Sequence, residues 1–289
     1  MRTHTGALEV DVVRADVVEA DRVDVVVSLT AAHDVVVDSG QVDLVRTLAL
    51  SHRERNWNGA GSTVGRRTES VLGRVDLDAA GSLVAGQTEH LHAVVPVPRT
   101  GEASVAGRLV QQGYAVRVRC RTGEHVVAAT RDVHVPSTPD PSSSALPPAV
   151  REDAGTAVLG IEDVPRPRLY GGVPVRGTVT LDPLVGGHAR GVRVDLLMVE
   201  RVSAAGGEPL QEDLDASTVM ASVSPAEHVE LVPGQALRLP FTLHVPDRLP
   251  APTVRTPDFA VRWVLRAVLD RPLRRDPSVT LELLAATTA

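Results

Sequence analysis

Apolar and polar residues alternate with a period of two along much of this chain. Between Leu237 and Val245, the apolar residues Leu237, Leu239, Phe241, Leu243 and Val245 are interleaved with Arg238, Pro240, Thr242 and His244. Tyr114, Val116, Val118 and Cys120 alternate in the same way with Ala115, Arg117, Arg119 and Arg121. That period predicts strands with one face on a core and the other in water. Val23 to Leu29 and Val173 to Leu181 are further strand candidates, bounded by Gly, Pro, Asp or Ser. Short strands punctuated by turn residues point to sandwiches or barrels rather than βαβ units. Pro96 and Pro240 fall inside predicted strands and cannot donate to a ladder, so each is expected at an edge or a bulge. One helix is expected, over Ser104 to Gln112. The fold class expected is all-β.

The pattern also repeats. Pro136 to Pro148 is rich in Pro and Ser and divides the chain near its middle. Proline removes donors and serine adds little burial, so the segment reads as a linker. On either side, LVAGQTEHLHAVVPVP from Leu83 matches LVPGQALRLPFTLHVP from Leu231 at seven of sixteen positions, an offset of 148. Tyr114-Ala-Val-Arg matches Phe259-Ala-Val-Arg at an offset of 145, and Val45 to Leu50 parallels Val194 to Val199 at 149. These matches predict a duplicated β unit. The expected division is a sandwich over 1–135, a linker over 136–156 and a second sandwich over 157–289.

Composition narrows the function. The net charge is -6 with a pI near 5.9, which disfavours a nucleic-acid binder that needs a cationic face. Two Trp, two Tyr and two Phe are too few for a base-stacking platform. All 30 basic residues are arginine, which excludes lysine Schiff bases and the P-loop lysine. Met1 to Val13 has scattered charges and no apolar run, so no signal peptide is expected. No stretch approaches the roughly 20 apolar residues of a membrane helix. With Cys120 as the single cysteine, neither an intrachain disulfide nor a cysteine metal cluster can form, and a reducing cytoplasm is the simplest setting.

At the level of motifs, the C-terminal half resembles the arrestin-like domain. The resemblance rests on Tyr170-Gly-Gly-Val-Pro-Val-Arg-Gly-Thr-Val-Thr-Leu181, Gly191 to Glu200, Leu231-Val-Pro-Gly234, Pro240 to Pro246, Leu249-Pro-Ala-Pro-Thr253 and Val261 to Asp270. The N-terminal half carries a weaker version in Thr68-Glu-Ser70, Gly81 to Pro98, Ser104 and Tyr114 to Val118. Two such domains in tandem is the arrangement of arrestins and of bacterial sporulation-control proteins similar to them. The resemblance implies two immunoglobulin-like sandwiches acting as a cytoplasmic scaffold or adaptor, in sporulation or stress-type regulation. The charged cluster by which receptor-binding arrestins sense phosphate has no counterpart legible in this sequence, and no proline-tyrosine motif is present. Receptor desensitisation therefore does not carry over.

Among candidate sites, Arg117, Arg119 and Arg121 share one strand face, roughly 7 Å apart, and can grip carboxylates or phosphates of a partner. The plainer reading pairs them with the chain's own acids, which outnumber basic residues 36 to 30. Trp57, in a polar loop, is either an interface anchor or a side chain folded back on the sandwich. His90-Leu-His92 has two-ligand spacing for zinc but falls on the polar side of its strand, where a solvated face is expected. Asn58 to Gly65 is Gly-rich but lacks the lysine of a P-loop. Cys120 and Trp263 are expected in the core. No Gly-x-Ser-x-Gly elbow is present.

The function expected is therefore non-enzymatic protein binding, with no cofactor, metal, nucleic acid or membrane span. Two rivals stand beside it. A small-ligand-binding or hydrolytic sandwich predicts a deep polar pocket, and a subunit of a homo-oligomer predicts an apolar surface for self-association.

Overall fold

The structure is a computed structural model. It describes residues 3–4, 6–18, 21–55, 61–79, 81–97, 103–137, 149–165, 168–203, 211–212, 214–272 and 276–287. Trp57 and residues 138–148 lie outside the described residues. Among the described residues every regular element is a strand.

Eleven strands precede the central segment: β1 (Thr3–His4), β2 (Leu8–Val18), β3 (Arg22–Ala31), β4 (Val35–Val37), β5 (Ser39–Arg55), β6 (Gly61–Leu77), β7 (Gly81–Leu83), β8 (Thr88–Pro96), β9 (Val105–Ala106), β10 (Val110–Thr122) and β11 (His125–Val133). Eleven follow it. They are β12 (Val150–Asp153), β13 (Ala157–Glu162), β14 (Arg168–Leu169), β15 (Val175–Pro183), β16 (Gly187–Val202), β17 (Gln211–Glu212), β18 (Leu214–Leu231), β19 (Leu237–Leu243), β20 (Val254–Arg255), β21 (Phe259–Asp270) and β22 (Ser278–Ala285).

In the first half a four-stranded sheet, β1-β2-β3-β8, faces a larger one built on β11-β10-β5 with β6 and β9 attached. In the second, β12-β13-β15-β19 faces β14-β22-β21-β16-β18 with β20 attached. Each pair of sheets closes on one apolar cluster. Val25, Val27 and Leu29 of β3 meet Val116, Val118 and Cys120 of β10 in the first. Val179 and Leu181 of β15 meet Trp263, Leu265 and Leu283 in the second. Alternation explains the arrangement: β3 and β21 bury every second side chain along most of their length, and branching at Cβ suits Val to the pleat.

The ladders of the two halves correspond pair by pair. Val10 opposite Leu29 is matched by Leu159 opposite Leu181, and Val27 opposite Leu91 by Val179 opposite Leu239. Val105 opposite Gln112 is matched by Val254 opposite Val261, and Asp43 opposite Arg117 by Asp195 opposite Arg266. The turns agree as well. Gly86 and Gly234 have φ of 80° and 78°, a region open to glycine, in turns closed by Gln87 N–H to Val84 O and Gln235 N–H to Val232 O.

Three local expectations change. The ladders set Tyr114 against Trp263, not Phe259, since the partners Val133 and Leu283 correspond. They likewise set Val45 against Leu197, not Val194. The helix expected over Ser104 to Gln112 is instead β9, a turn at Gly107 to Leu109 and the start of β10. Pro96 and Pro240 do lie on edge strands, β8 and β19.

The halves are joined by more than the central segment. Leu48, Val105, Leu109 and Val110 belong to the apolar cluster of the second half. Ala106 N–H donates to Pro250 O at 2.8 Å, and β17 pairs with β5 at Arg53 and Glu54. The chain that leaves β17 continues into β18, so a single stretch laces the two larger sheets together.

Candidate binding face

The outer face of β5, β6 and β10 carries the charged residues. On β5, Val42 and Leu44 point into the core, which turns Asp43 outward, yet its side chain has no solvent exposure. Arg74 of β6 covers it at 2.7 Å through Nε, and Arg119 of β10 binds its other oxygen. Gln41 accepts from Arg119 at 3.0 Å. Asp43 is thus a buried carboxylate roofed by two guanidiniums that stay partly in water, which keeps the desolvation cost low.

The equivalent residue on β16, Asp195, repeats the device with other partners. Arg266 donates at 2.9 Å, Ser222 at 2.8 Å, and Arg193 lies at 3.0 Å. Burial works against the charge of Asp195. Hydrogen bonds from Arg266 and Ser222 and the charges of Arg193 and Arg266 outweigh it, holding the carboxyl below its ordinary value.

The arginine stripe therefore divides. Arg117 pairs with Glu69 at 2.7 Å and Arg119 is held by Asp43 and Gln41. Arg121 is exposed, and no side-chain partner is seen for it among the described residues. Arg119 and Arg121 line a depression of about 250 Å³ with Ser39, Gly40, Gln41, Asp76, Cys120 and Val126. Val126, directly opposite Arg121 in the ladder, is half exposed at its rim. The depression thus combines one guanidinium without a side-chain partner among the described residues, the acid Asp76 and an apolar lip. Cys120 itself is buried, and desolvation pushes its thiol up to about 11, so it is a core hydrophobe and not a nucleophile at neutral pH.

The remaining candidates fall elsewhere. His90 and His92 are exposed on edge strand β8, and no group of three or more His, Cys, Asp or Glu side chains able to hold a metal ion occurs among the described residues. Gly61 to Gly65 belongs to β6, while Asn58 to Ala60 lie outside the described residues with Trp57. Trp263 is fully buried, its indole N–H donating to Ala251 O at 3.1 Å. No described helix is long and apolar enough to cross a membrane.

Sequence reasoning missed Asp43, Asp195 and Glu200. Each breaks an apolar run on a central strand, and that interruption was the available signal. Glu200, at the far end of β16, is fully buried. Its carboxylate accepts the backbone N–H groups of Arg108, Leu109 and Val110, at 2.8, 2.9 and 3.0 Å. It is a clamp of the second half on a turn of the first.

No protein-family model matches the sequence, and no curated protein is significantly similar to it.

Proposed function

We propose that this chain is a non-enzymatic scaffold of the arrestin-like class, two tandem immunoglobulin-like sandwiches derived by duplication, and that it binds proteins through the arginine-lined end of the first. The reading rests on the place where the matched halves part. Arg117 corresponds to Arg266, which serves Asp195. Arg119 and Arg121, by contrast, correspond to Val268, which is buried, and Asp270. The first half has two cations where the second has an apolar residue and an acid. One of these cations, Arg121, is not needed by its own fold.

Chemistry selects the partner. A depression of about 250 Å³ is smaller than the clefts of roughly 300–1,000 Å³ that enclose typical small ligands. Arg121 offers a bidentate grip on a carboxylate or phosphate. Asp76, also in the lining, favours a donor beside that acid group, as in a peptide with its own N–H groups. An acidic or phosphorylated protein segment meets both requirements.

Fluorescence anisotropy against acidic and phosphorylated peptide pools tests this. The native chain should bind a subset, and Arg121→Glu should weaken that binding at least tenfold with the fold intact. A native chain that binds none, or an Arg121→Glu chain that binds equally well, would overturn the reading.

A further inference from the structure

The charges around Arg121 are not those of a general anion trap. In the ladders Arg121 lies between Val126 of β11 and Ser39 of β5, so an apolar side chain, a guanidinium and a hydroxyl form one row across the sheet. Asp38, just before Ser39, donates its N–H to Arg121 O at 2.8 Å. Its carboxylate accepts Gly123 N–H at 2.6 Å, which ties the β10–β11 turn, and with it Glu124, to this end of the sheet. Asp76 lies on β6 opposite Gln41, and Asp78 follows two residues on.

Asp38, Asp76, Asp78 and Glu124 are exposed, and none has an ion-pair partner among the described residues. Arg74 and Arg119 do not offset them, since both are bound to Asp43. Arg121 is thus a guanidinium with acids on the β5–β6 side and at the turn, and apolar Val126 on the β11 side. A ligand complementary to that pattern has the opposite one, a single carboxylate with positive charge beside it. Phosphorylation does not improve the fit. A phosphoryl group of about −1.5 to −2 charge is drawn more strongly to Arg121, but the four acids repel it in the same proportion and its desolvation costs more.

We propose that the segment seated at this depression is an unphosphorylated peptide of mixed charge, with one Asp or Glu on Arg121 and a Lys or Arg facing Asp76 and Asp78. The spacing follows from the sheet. β10 and β6 stand two strands apart, about 9.6 Å, which an extended peptide covers in about three residues. The base therefore stands about three residues from the acid. Ser39, opposite Arg121, adds a hydroxyl donor for the same carboxylate, and an apolar residue on the other side of the acid packs on Val126. Specificity comes from repulsion as well as attraction: a strongly acidic segment satisfies Arg121 but meets four carboxylates. This inference rests on the docking proposed above and narrows it from acidic and phosphorylated segments in general to one charge pattern.

Two libraries of randomised peptides, one with a fixed central Glu and one with a fixed central phosphoserine, test it on the immobilised full chain, with Arg121→Glu as the background. The native chain should retain the Glu library at least threefold better than the phosphoserine library. Sequencing of the retained pool should show Lys and Arg enriched about three residues from the Glu. Asp76→Asn/Glu124→Gln should lose that enrichment and retain more of the phosphoserine library. Both residues are exposed, and circular dichroism would verify that the fold survives. A native chain that retains neither library above background would overturn the docking reading and this inference with it. Three results would overturn this inference alone: a retained Glu pool without Lys or Arg enrichment, a phosphoserine library held as well as the Glu library, or an unchanged enrichment in the doubly neutralised variant.

Discussion

The carboxylate of Glu200 occupies the space that a Cβ on Gly107 would need. A side chain there would also meet Val110 O at 2.9 Å, so both the carboxylate and the turn backbone would have to move. Gly107 is therefore a packing glycine, required by close approach and not by a left-handed φ. Three N–H groups converge on one buried charge only because the turn can press against it. Gly107→Ala should cost about 1–3 kcal/mol by overpacking. Glu200→Gln keeps the shape but points an NH2 at backbone donors, and should cost about 2–4 kcal/mol. Urea unfolding would measure both. A combined loss well short of the sum is expected, since both changes disturb one contact.

The depressed pKa of Asp195 makes its contribution depend on pH. A carboxylate with a folded pKa below its unfolded value of about 3.9 stabilises fully above that value, and the stabilisation disappears as pH falls through the folded pKa. Asp195→Asn removes it. The variant should be less stable than the native chain by about 1–3 kcal/mol from pH 7 down to pH 5. The gap should narrow below pH 4. Urea midpoints measured every half unit from pH 3 to 7 would show a constant difference that closes on the acid side; a difference that widens there would contradict the ion-pair account.

The errors left by the sequence have physical causes. Alternation on β10 and β21 was legible because each strand has one face in the core. Matching Tyr114 to Phe259 instead of Trp263 is a slip of four residues, an even number, which leaves every side chain on its correct face. Hydrophobic pattern cannot detect such a slip; only the ladder partners Val133 and Leu283 can. On β5 the cause is different. Val42 to Val45 are all buried, as are Val194 to Met198, so the central strands lose alternation and with it any sign of register. The arginine stripe was legible as a stripe, but its division between Glu69, Asp43 and open solvent depends on residues 48 and 76 positions away in the chain. Glu200 could not be read as a clamp because its partners are backbone groups, which any sequence supplies.

Cys120 gives a chemical probe of the first core. With its thiol pushed up to about 11, the thiolate fraction at pH 7.5 is roughly 300-fold smaller than for a free cysteine. Burial adds a steric barrier. An aromatic disulfide reagent should therefore leave the native chain unlabelled over hours at pH 7.5 and modify one thiol at once in denaturant. Fast labelling of the native chain would show that the β10 core opens readily. Cys120→Val should change stability by less than about 1.5 kcal/mol, because the site requires apolar volume and not a thiol.

The contacts between the halves decide whether the chain unfolds in one step or two. Leu48, Leu109 and Val110 lie in the core of the second half, Glu200 grips the turn of the first, and β17 pairs with β5. Ser137 and Thr287 add two bonds, Ser137 N–H to Thr287 Oγ and Thr287 N–H to Ser137 Oγ, both at 3.3 Å. Neither half can leave without exposing apolar residues and a buried carboxylate, a loss larger than the few kcal/mol that covalent linkage adds through loop closure. A protease site placed between Pro141 and Ser144 should therefore be cut without separating the fragments. After cleavage both should elute together at the size of the intact chain and melt in a single transition at a lower temperature. Leu109→Ala/Glu200→Gln should reverse this result: the cut chain should resolve into two fragments on size exclusion while the uncut variant still elutes as one. Fragments that part in the native background would show that the central segment, and not the clamp, holds the halves together.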